Sequence, residues 1–197
     1  PSRAEASDVA NAVWEYADAL MLSAETAIGQ YPVLAVAMMD RIIRRAEAAA
    51  LGNPTVPGAP LSAADDHPRI VALAARRIVE TDPNMRAIVC FTNSGYTATL
   101  ASKQRVTCPI FAISPSATVA RRLSMARSVI PLQSPAVSSL EEMMAAVDRL
   151  LVEGGHVAAG EEVTLIASLP VKAAGTTNFL KLHRLGESQP APRPRRR

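Results

Sequence analysis

Apolar positions in the first 50 residues recur with the spacing of amphipathic helices, and one short apolar run interrupts them. Residues 5–17 and 32–50 both show helical spacing, and Pro32 suits a first helical turn because its missing amide hydrogen costs nothing there. Residues 19–22 are all apolar and predict a short buried strand between the two helices. Nothing before this strand could pair with it, so we expect the chain to begin inside a larger fold.

The pattern changes after residue 50. Residues 51–64 are rich in proline and glycine and predict a linker at a domain boundary, and residues 186–197 predict a disordered basic tail. Between them, over residues 65–185, short apolar runs alternate with helical stretches. This predicts an α/β domain whose mostly parallel sheet has helices on both faces. The predicted strands are 87–91, 110–113, 129–132, 163–167 and 178–185, and the predicted helices are 70–79, 97–105, 116–127 and 140–153.

Composition narrows the classes of function. The 197 residues are 49% hydrophobic but only 4% aromatic, so the core must be mainly aliphatic. The formal net charge of +3 comes from the tail, where residues 186–197 hold four Arg and one Glu, and the rest of the chain is neutral. A neutral body without interleaved aromatic residues disfavours a nucleic-acid partner. No apolar run reaches the 18 residues that a membrane span needs.

Cysteine and histidine usage predicts neither disulfides nor a metal site. Cys90 and Cys108 lie in or beside apolar runs, and we interpret them as reduced structural thiols of a cytosolic protein. The three histidines, His67, His156 and His183, are far apart and have no partner at metal-ligand spacing, so we expect packing or surface roles. The chain also carries no phosphate-binding Walker loop and no dinucleotide fingerprint.

The strongest candidate site is the polar turn between the predicted strand 87–91 and the next helix, which consists of Thr92, Asn93, Ser94, Gly95, Tyr96 and Thr97. Its glycine permits a tight backbone turn, and its hydroxyls and free amides face the positive end of the helix dipole. Such a turn can hold a phosphate without a lysine. The alternative interpretation is a simple helix cap.

A second candidate segment, residues 169–178, joins the last two predicted strands. Lys172 supplies a positive charge and Gly175 supplies flexibility. These two features make the segment a second candidate for ligand binding. The alternative is a plain connection between two strands.

Two parts of the chain resemble pyruvate kinase. Residues 1–13 and 18–27 closely resemble the last helix and last strand of that family's catalytic (β/α)8 barrel, and residues 65–185 resemble its C-terminal domain in motif order. Ser2 stands where the family usually has Thr, and Ala24 where many members have Gly. The resemblance implies the end of a (β/α)8 barrel (residues 1–50) followed by a three-layer α/β effector domain.

The resemblance also implies a function. The parent enzyme would transfer phosphate from phosphoenolpyruvate to ADP with Mg2+ and K+, as a cytoplasmic homotetramer. The family's catalytic lysine and metal ligands precede residue 1, so this chain is expected to lack the main catalytic residues and any metal site. The alternative is a stand-alone module that binds phosphorylated metabolites without kinase activity.

For the candidate residues, the resemblance implies that the turn 92–97 binds an effector phosphate and that the segment 169–178 covers this site. The segment 169–178 lacks the richer Gly and Arg content of some sugar-bisphosphate-regulated members, so a sugar or nucleotide monophosphate is expected. Ser23, Glu25 and Thr26 would stand at the carboxyl end of a barrel strand. They would either support a phosphoryl-transfer site from outside the reacting atoms or cap a helix.

Overall fold

The computed structural model describes residues 1–50, 67–171 and 177–187. The predicted linker 51–64, the tail from residue 188 onward, Lys172 and Gly175 lie outside the described residues. The chain divides into two compact units, Pro1–Pro57 and Gly58–Arg197, and each is described by itself.

The first unit consists of three helices, Arg3–Trp14 (α1), Ala24–Ala27 (α2) and Pro32–Ala50 (α3). A capping box begins α1: the Ser2 hydroxyl accepts the Glu5 amide at 3.3 Å, and the Glu5 carboxylate accepts the Ser2 amide at 2.7 Å. The hydrogen bonds that the Glu5 carboxylate accepts from the Ser2 amide and from the Ser2 hydroxyl lower the pKa of Glu5. The indole of Trp14 donates to the Ala46 carbonyl at 3.1 Å and so ties α1 to α3.

Helix α1 ends three residues before the predicted end at Ala17. Tyr16 adopts a left-handed backbone with φ of 70°, and its amide donates to the Val13 carbonyl at 3.1 Å. The next amide, of Ala17, donates to the Ala12 carbonyl at 3.0 Å. This pair of bonds is the Schellman arrangement, which satisfies the last carbonyls of a helix and turns the chain away.

The strand predicted over residues 19–22 is wrong. The backbone there belongs to no strand, and residues 1–50, all of which are described, contain none. A strand exists only through hydrogen bonds to a neighbouring strand, which an apolar run alone cannot supply. The side chain of Met21 is 85% exposed in this unit, although the apolar run predicted that it would be buried.

The second unit alternates helix and strand. Its described helices are His67–Thr81 (α4), Tyr96–Lys103 (α5), Ala117–Leu123 (α6) and Leu140–Asp148 (α7), the last continuing as a π-helical turn over Arg149–Glu153. Its described strands are Met85–Phe91 (β1), Ile110–Ser114 (β2), Val129–Gln133 (β3), Glu162–Ala167 (β4) and Phe179–Arg184 (β5). Every strand and helix predicted between residues 65 and 185 is present, with ends that shift by a few residues.

The described strands form one sheet in the order β3-β2-β1-β4-β5. Strands β1 to β4 are parallel, with Cys90 opposite Ala112 on one side and Ile166 on the other. Strand β5 is antiparallel and pairs at the edge with β4. The mostly parallel α/β sheet predicted from the sequence is therefore confirmed.

Two apolar clusters, one on each face of the sheet, show the three-layer arrangement. On one face, residues such as Val89 and Leu165 pack against Met143 and Val147 of α7. On the other face, Ile88 and Ile110 lie in a cluster with residues of α4, α5 and α6. Strands buried on both sides explain the near-continuous apolar runs in the sequence.

Serine hydroxyls cap two helices of the second unit, and one of these helices ends earlier than predicted. Helix α6 follows the predicted cap, Ser116, whose hydroxyl accepts the Val119 amide at 3.3 Å, but it stops at Leu123 rather than Arg127. The hydroxyl of Ser124 donates to the Arg121 carbonyl at 2.7 Å and competes with the helical bond there. Helix α7 begins at Leu140, as predicted, and the hydroxyl of its N-cap Ser139 accepts the Glu142 amide at 3.1 Å.

The histidines behave as packing or surface residues in the described part of the chain. His67 and His156 are exposed, whereas His183 on β5 is 2% exposed and its Nε2 lies 2.8 Å from Asp148 Oδ1. This buried contact connects the edge strand to the end of α7. None of the helices among the described residues has the length and apolar character that a bilayer crossing requires.

The thiols are free, and burial raises the pKa of both Cys90 and Cys108. We expect the native protein to react slowly with iodoacetamide at pH 8, because the thiolate is the reactive form and Cys90 is also inaccessible. Mass spectrometry of labelled peptides should show Cys90 modified last. In urea, where burial is lost, the two thiols should react at similar rates. If Cys90 were labelled as fast in the native protein as in urea, its burial would be contradicted.

Candidate functional site

A cleft of about 550 Å³ lies at the carboxyl ends of the four parallel strands. Strands β1 and β4 are neighbours in the sheet. The chain leaves β1 toward β2, on one side of β1, and it reaches β4 on the other side from β3, by a crossover on the other face of the sheet. The connections that leave β1 and β4 therefore diverge, and open α/β sheets bind ligands at such a point. The cleft is lined by Phe91, Thr92, Asn93, Ser94, Tyr96, Thr97, Ile113, Pro115, Ser134, Pro135, Ala136, Val137, Met143, Ser168, Val171 and Thr177.

Most residues of the predicted turn 92–97 line the cleft: Thr92, Asn93, Ser94, Tyr96 and Thr97. The amide of Thr92 donates to the Ile113 carbonyl at 3.0 Å, which holds the start of the turn against β2. The Thr92 hydroxyl oxygen accepts the Gly95 amide at 2.9 Å, and the Ser94 hydroxyl oxygen accepts the Tyr96 amide at 3.3 Å. Each hydroxyl keeps its own hydrogen to donate, so both the capping and the ligand-binding interpretations remain compatible with this geometry.

Gly95 is the one position of the turn that requires glycine. Its φ is 90°, and a Cβ atom there would meet the Arg122 guanidinium at 3.2 Å and the side chains of Leu123 and Val119 at 3.3 Å. Arg122 also donates from Nη2 to the Ser94 carbonyl. Helix α6 thus packs directly behind the turn and fixes its shape.

Thr97 links the turn to the far side of the cleft. Its Oγ1 lies 2.6 Å from the Thr177 Oγ1, and the two side chains are 6% and 2% exposed. Thr97 belongs to the first turn of α5, whose amides have no carbonyl of their own helix to bond. The helix dipole adds positive potential at this end.

The segment 169–178 is held at its base by Asn178. The Asn178 side-chain amide donates to the Leu169 carbonyl at 2.7 Å, and its Oδ1 accepts the Leu169 amide at 2.8 Å. The sequence analysis did not single out Asn178 or Thr177 in this role. Lys172 and Gly175, which it did single out, are outside the described residues, so their assignment to the site stays a prediction.

None of the described residues that line the cleft carries a charge, and Arg122 contacts the turn from behind through its hydrogen bond to Ser94. The donors that the described lining offers to an anion are therefore hydroxyl and amide groups. The arrangement is chemically suited to one phosphate group of a small ligand.

Ser134 is a lining residue that the sequence analysis missed. It is 4% exposed, follows β3 directly, and its amide donates to the Ser114 carbonyl at 3.2 Å. Its Oγ has no hydrogen-bond partner among the described residues. A signal was present, because Ser134 follows the predicted strand 129–132 much as Thr92 follows the predicted strand 87–91.

Ser23, Glu25 and Thr26 lie together in the first unit at the start of α2. The Glu25 carboxylate accepts the Ser23 amide at 2.9 Å, and the Thr26 hydroxyl donates to the Ser23 carbonyl at 3.3 Å. These are local helix-end contacts of exposed residues. A role in supporting a phosphoryl-transfer site stays a prediction. In the described ranges, no group of three His, Cys, Asp or Glu side chains is arranged to hold a metal ion.

Comparisons with known proteins find family models that match both parts of the chain. Residues 69–183 match the family model described as pyruvate kinase, alpha/beta domain, and residues 1–36 match the pyruvate kinase barrel domain. A pyruvate kinase of Sporosarcina psychrophila is 37% identical over 189 residues, which cover 95% of this chain and 32% of that protein. A pyruvate kinase of Mycobacterium tuberculosis is 36% identical over 187 residues, which cover 95% of this chain and 39% of that protein.

A solved structure agrees with these matches. The crystal structure of a pyruvate kinase from Cryptosporidium parvum superimposes with a TM-score of 0.75 at 33% identity, and covers 94% of this chain and 36% of that chain. The chain described here therefore spans about a third of the length of the proteins it resembles.

The turn geometry predicts a specific stability difference between two glycine variants. Gly95→Ala should destabilise the protein more than Gly160→Ala, because both residues have positive φ but only the first is crowded by its neighbours. The strain common to both is about 1–3 kcal/mol. Urea unfolding of the two variants measures the difference. Equal losses would show that the packing of α6 behind the turn contributes nothing.

Proposed function

The chain belongs to the pyruvate kinase family, and we propose that it is the C-terminal portion of an enzyme that transfers phosphate from phosphoenolpyruvate to ADP. In this portion, the α/β unit binds a phosphorylated effector in the cleft at the carboxyl ends of β1 to β4. The observation that carries the effector assignment is that the turn 92–97, which leads into the first helical turn of α5, lines a cleft whose described residues are uncharged.

The turn supplies enough donors for one phosphate. The hydroxyls of Thr92 and Ser94 already accept loop amides, which orients their hydrogens before a ligand arrives. Hydrogen bonds to a charged group contribute about 1.5–3 kcal/mol each before ordering costs. Because no described lining residue is cationic, moderate affinity and one phosphate are expected rather than a bisphosphate clamp.

The catalytic step itself is assigned to the parent enzyme. Phosphoryl transfer depends on cations that neutralise the phosphate oxygens, supplied here by Mg2+ and K+. The described residues do not fit a divalent metal site, because no group of carboxylate, histidine or cysteine side chains is arranged to hold one. We therefore derive no catalytic step from this chain. By the same family argument, we propose that the parent is a cytoplasmic homotetramer.

A second function is favoured by one observation. The α/β unit has an apolar cluster on each face of its sheet and a cleft lined by its own residues. Such a unit needs no barrel to bind its ligand, so a stand-alone module that binds phosphorylated metabolites is the alternative. An upstream open reading frame that encodes the rest of a barrel would favour the enzyme, and a start codon immediately before Pro1 would favour the module.

Effector binding is tested by calorimetric titration of the 197-residue protein with AMP, glucose 6-phosphate and inorganic phosphate. Thr92→Ala should weaken binding roughly tenfold, equivalent to about 1.4 kcal/mol, because it removes one donor. Thr92→Ser keeps the hydroxyl and should retain affinity. Thr118→Ala, at an exposed site outside the cleft lining, is the matched control. If no compound binds below millimolar concentration, the turn is only a helix cap.

The purified 197-residue chain should have no pyruvate kinase activity, because its described residues do not supply the cation site that the transfer needs. A coupled assay with phosphoenolpyruvate, ADP, Mg2+ and K+ should show no ATP above the buffer rate, with a full-length pyruvate kinase as the positive control. Phosphoenolpyruvate-dependent ATP formation by this chain would overturn the assignment.

A further inference from the structure

Strand β3 forms an outer edge of the sheet, since β2 is its one neighbour among the described strands. An edge strand presents backbone amides and carbonyls that can pair with a strand of another molecule. The sequence of β3, Val129–Gln133, contains four apolar residues and no charged one, and the Ile130 side chain is 38% exposed. The charged side chains that often protect an edge are therefore missing from this strand.

The hydrogen bonds to β2 establish which residues of β3 turn their backbone groups inward. The Ile110 amide donates to the Ser128 carbonyl at 2.8 Å, and the Ser134 amide donates to the Ser114 carbonyl at 3.2 Å. Successive residues of a strand direct their backbone groups to opposite sides. With this register, the even-numbered residues between 128 and 134 bond to β2.

The odd-numbered residues of β3 direct their backbone groups to the open edge. The Val129 amide already donates to the Ala126 carbonyl at 3.3 Å, within the turn that connects α6 to β3. Pro131, in the centre of the strand, has no amide hydrogen. Of the three residues, Gln133 alone keeps an amide that can donate outward. A proline is tolerated in a strand only where no ladder bond needs its amide, which agrees with this register.

We propose that Pro131 and the hydrogen bond between Val129 and Ala126 close the β3 edge to strand addition by a second copy of this chain. A new strand needs donors and acceptors that alternate along the edge, and β3 offers one outward donor at its end. Copies that pair head to tail through both edges of a sheet would grow into open filaments. A closed edge stops such growth and leaves other surfaces free for contacts. This inference does not depend on the proposed effector function.

Pro131→Val tests the proposal, because it restores an amide at the centre of the edge and adds a residue that favours strands. The 197-residue variant should associate as its concentration rises. Its weight-average mass by light scattering should exceed that of the unchanged protein by about twofold or more, since each strand addition joins two copies. Gln133→Val is the matched control. It adds the same side chain two residues along, on the same face of the sheet, but no new amide, so its mass should equal that of the unchanged protein.

A second variant moves the proline along the edge. Pro131→Val combined with Gln133→Pro again leaves one outward amide, so its mass should return to that of the unchanged protein. Hydrogen exchange gives a direct readout of pairing. The amide introduced at position 131 by Pro131→Val should exchange rapidly at the lowest concentration and become protected in the associated form.

Each remaining outcome contradicts the proposal. If Pro131→Val is folded by urea unfolding but keeps the mass of the unchanged protein, the proline does not close the edge. If Gln133→Val associates equally, the apolar side chain causes the association and the amide does not. Protection of the introduced amide at the lowest concentration would show that position 131 faces β2. A Pro131→Val protein that is unfolded in buffer would show that the proline serves stability instead of edge closure.

Discussion

The handedness of parallel crossovers is the constraint on which the α/β unit depends. Connections between parallel strands are almost always right-handed, so a chain that adds strands first on one side and then on the other must change the face on which its helices pack. Here α5 and α6 share one face of the sheet with the cluster around Ile88, and α7 packs on the other. The change of direction occurs between β1 and β4. It leaves an open cleft at their carboxyl ends, so the cleft follows from the topology and not from any single residue.

The polar groups around this cleft are held before any ligand arrives. Arg122 and Gly95 fix the turn from behind, and Asn178 bonds both backbone groups of Leu169 across the base of the opposite segment. Farther from the cleft, His183 connects β5 to Asp148 at the end of α7. The contact of Arg122 ties the turn to α6, which packs behind it. A site organised in this way loses little conformational freedom when it binds.

The sequence predicts those parts of the fold and of the site that depend on a local pattern of residues. It does not predict the parts that depend on contacts between distant residues. The strands of the α/β unit were predictable because burial on both faces imposes apolar runs, and the turn 92–97 was predictable because its polar residues are contiguous. The strand at 19–22 was not, since the same apolar run forms a strand only with a partner, and none is present in residues 1–50. Ser134 is placed by the register between β2 and β3, and Asn178 is placed by its hydrogen bond to Leu169, nine residues earlier. Neither can be derived from local pattern alone.

The described lining residues of the cleft carry no charge, and this bears on the proposed effector function. A site that reports a metabolite concentration has to release its ligand, and a phosphate clamped by several cations in a buried pocket would leave slowly. Neutral donors on a preorganised turn bind the phosphate more weakly than several cations would, but with defined directions. The rest of the affinity must then come from the uncharged part of the ligand. In the proposed effector site, selectivity among phosphorylated metabolites, which share the phosphate, would be decided by the lining residues outside the turn 92–97. Ser134, Pro135, Ala136 and Val137 are such residues, so the segment after β3 is well placed to distinguish one effector from another.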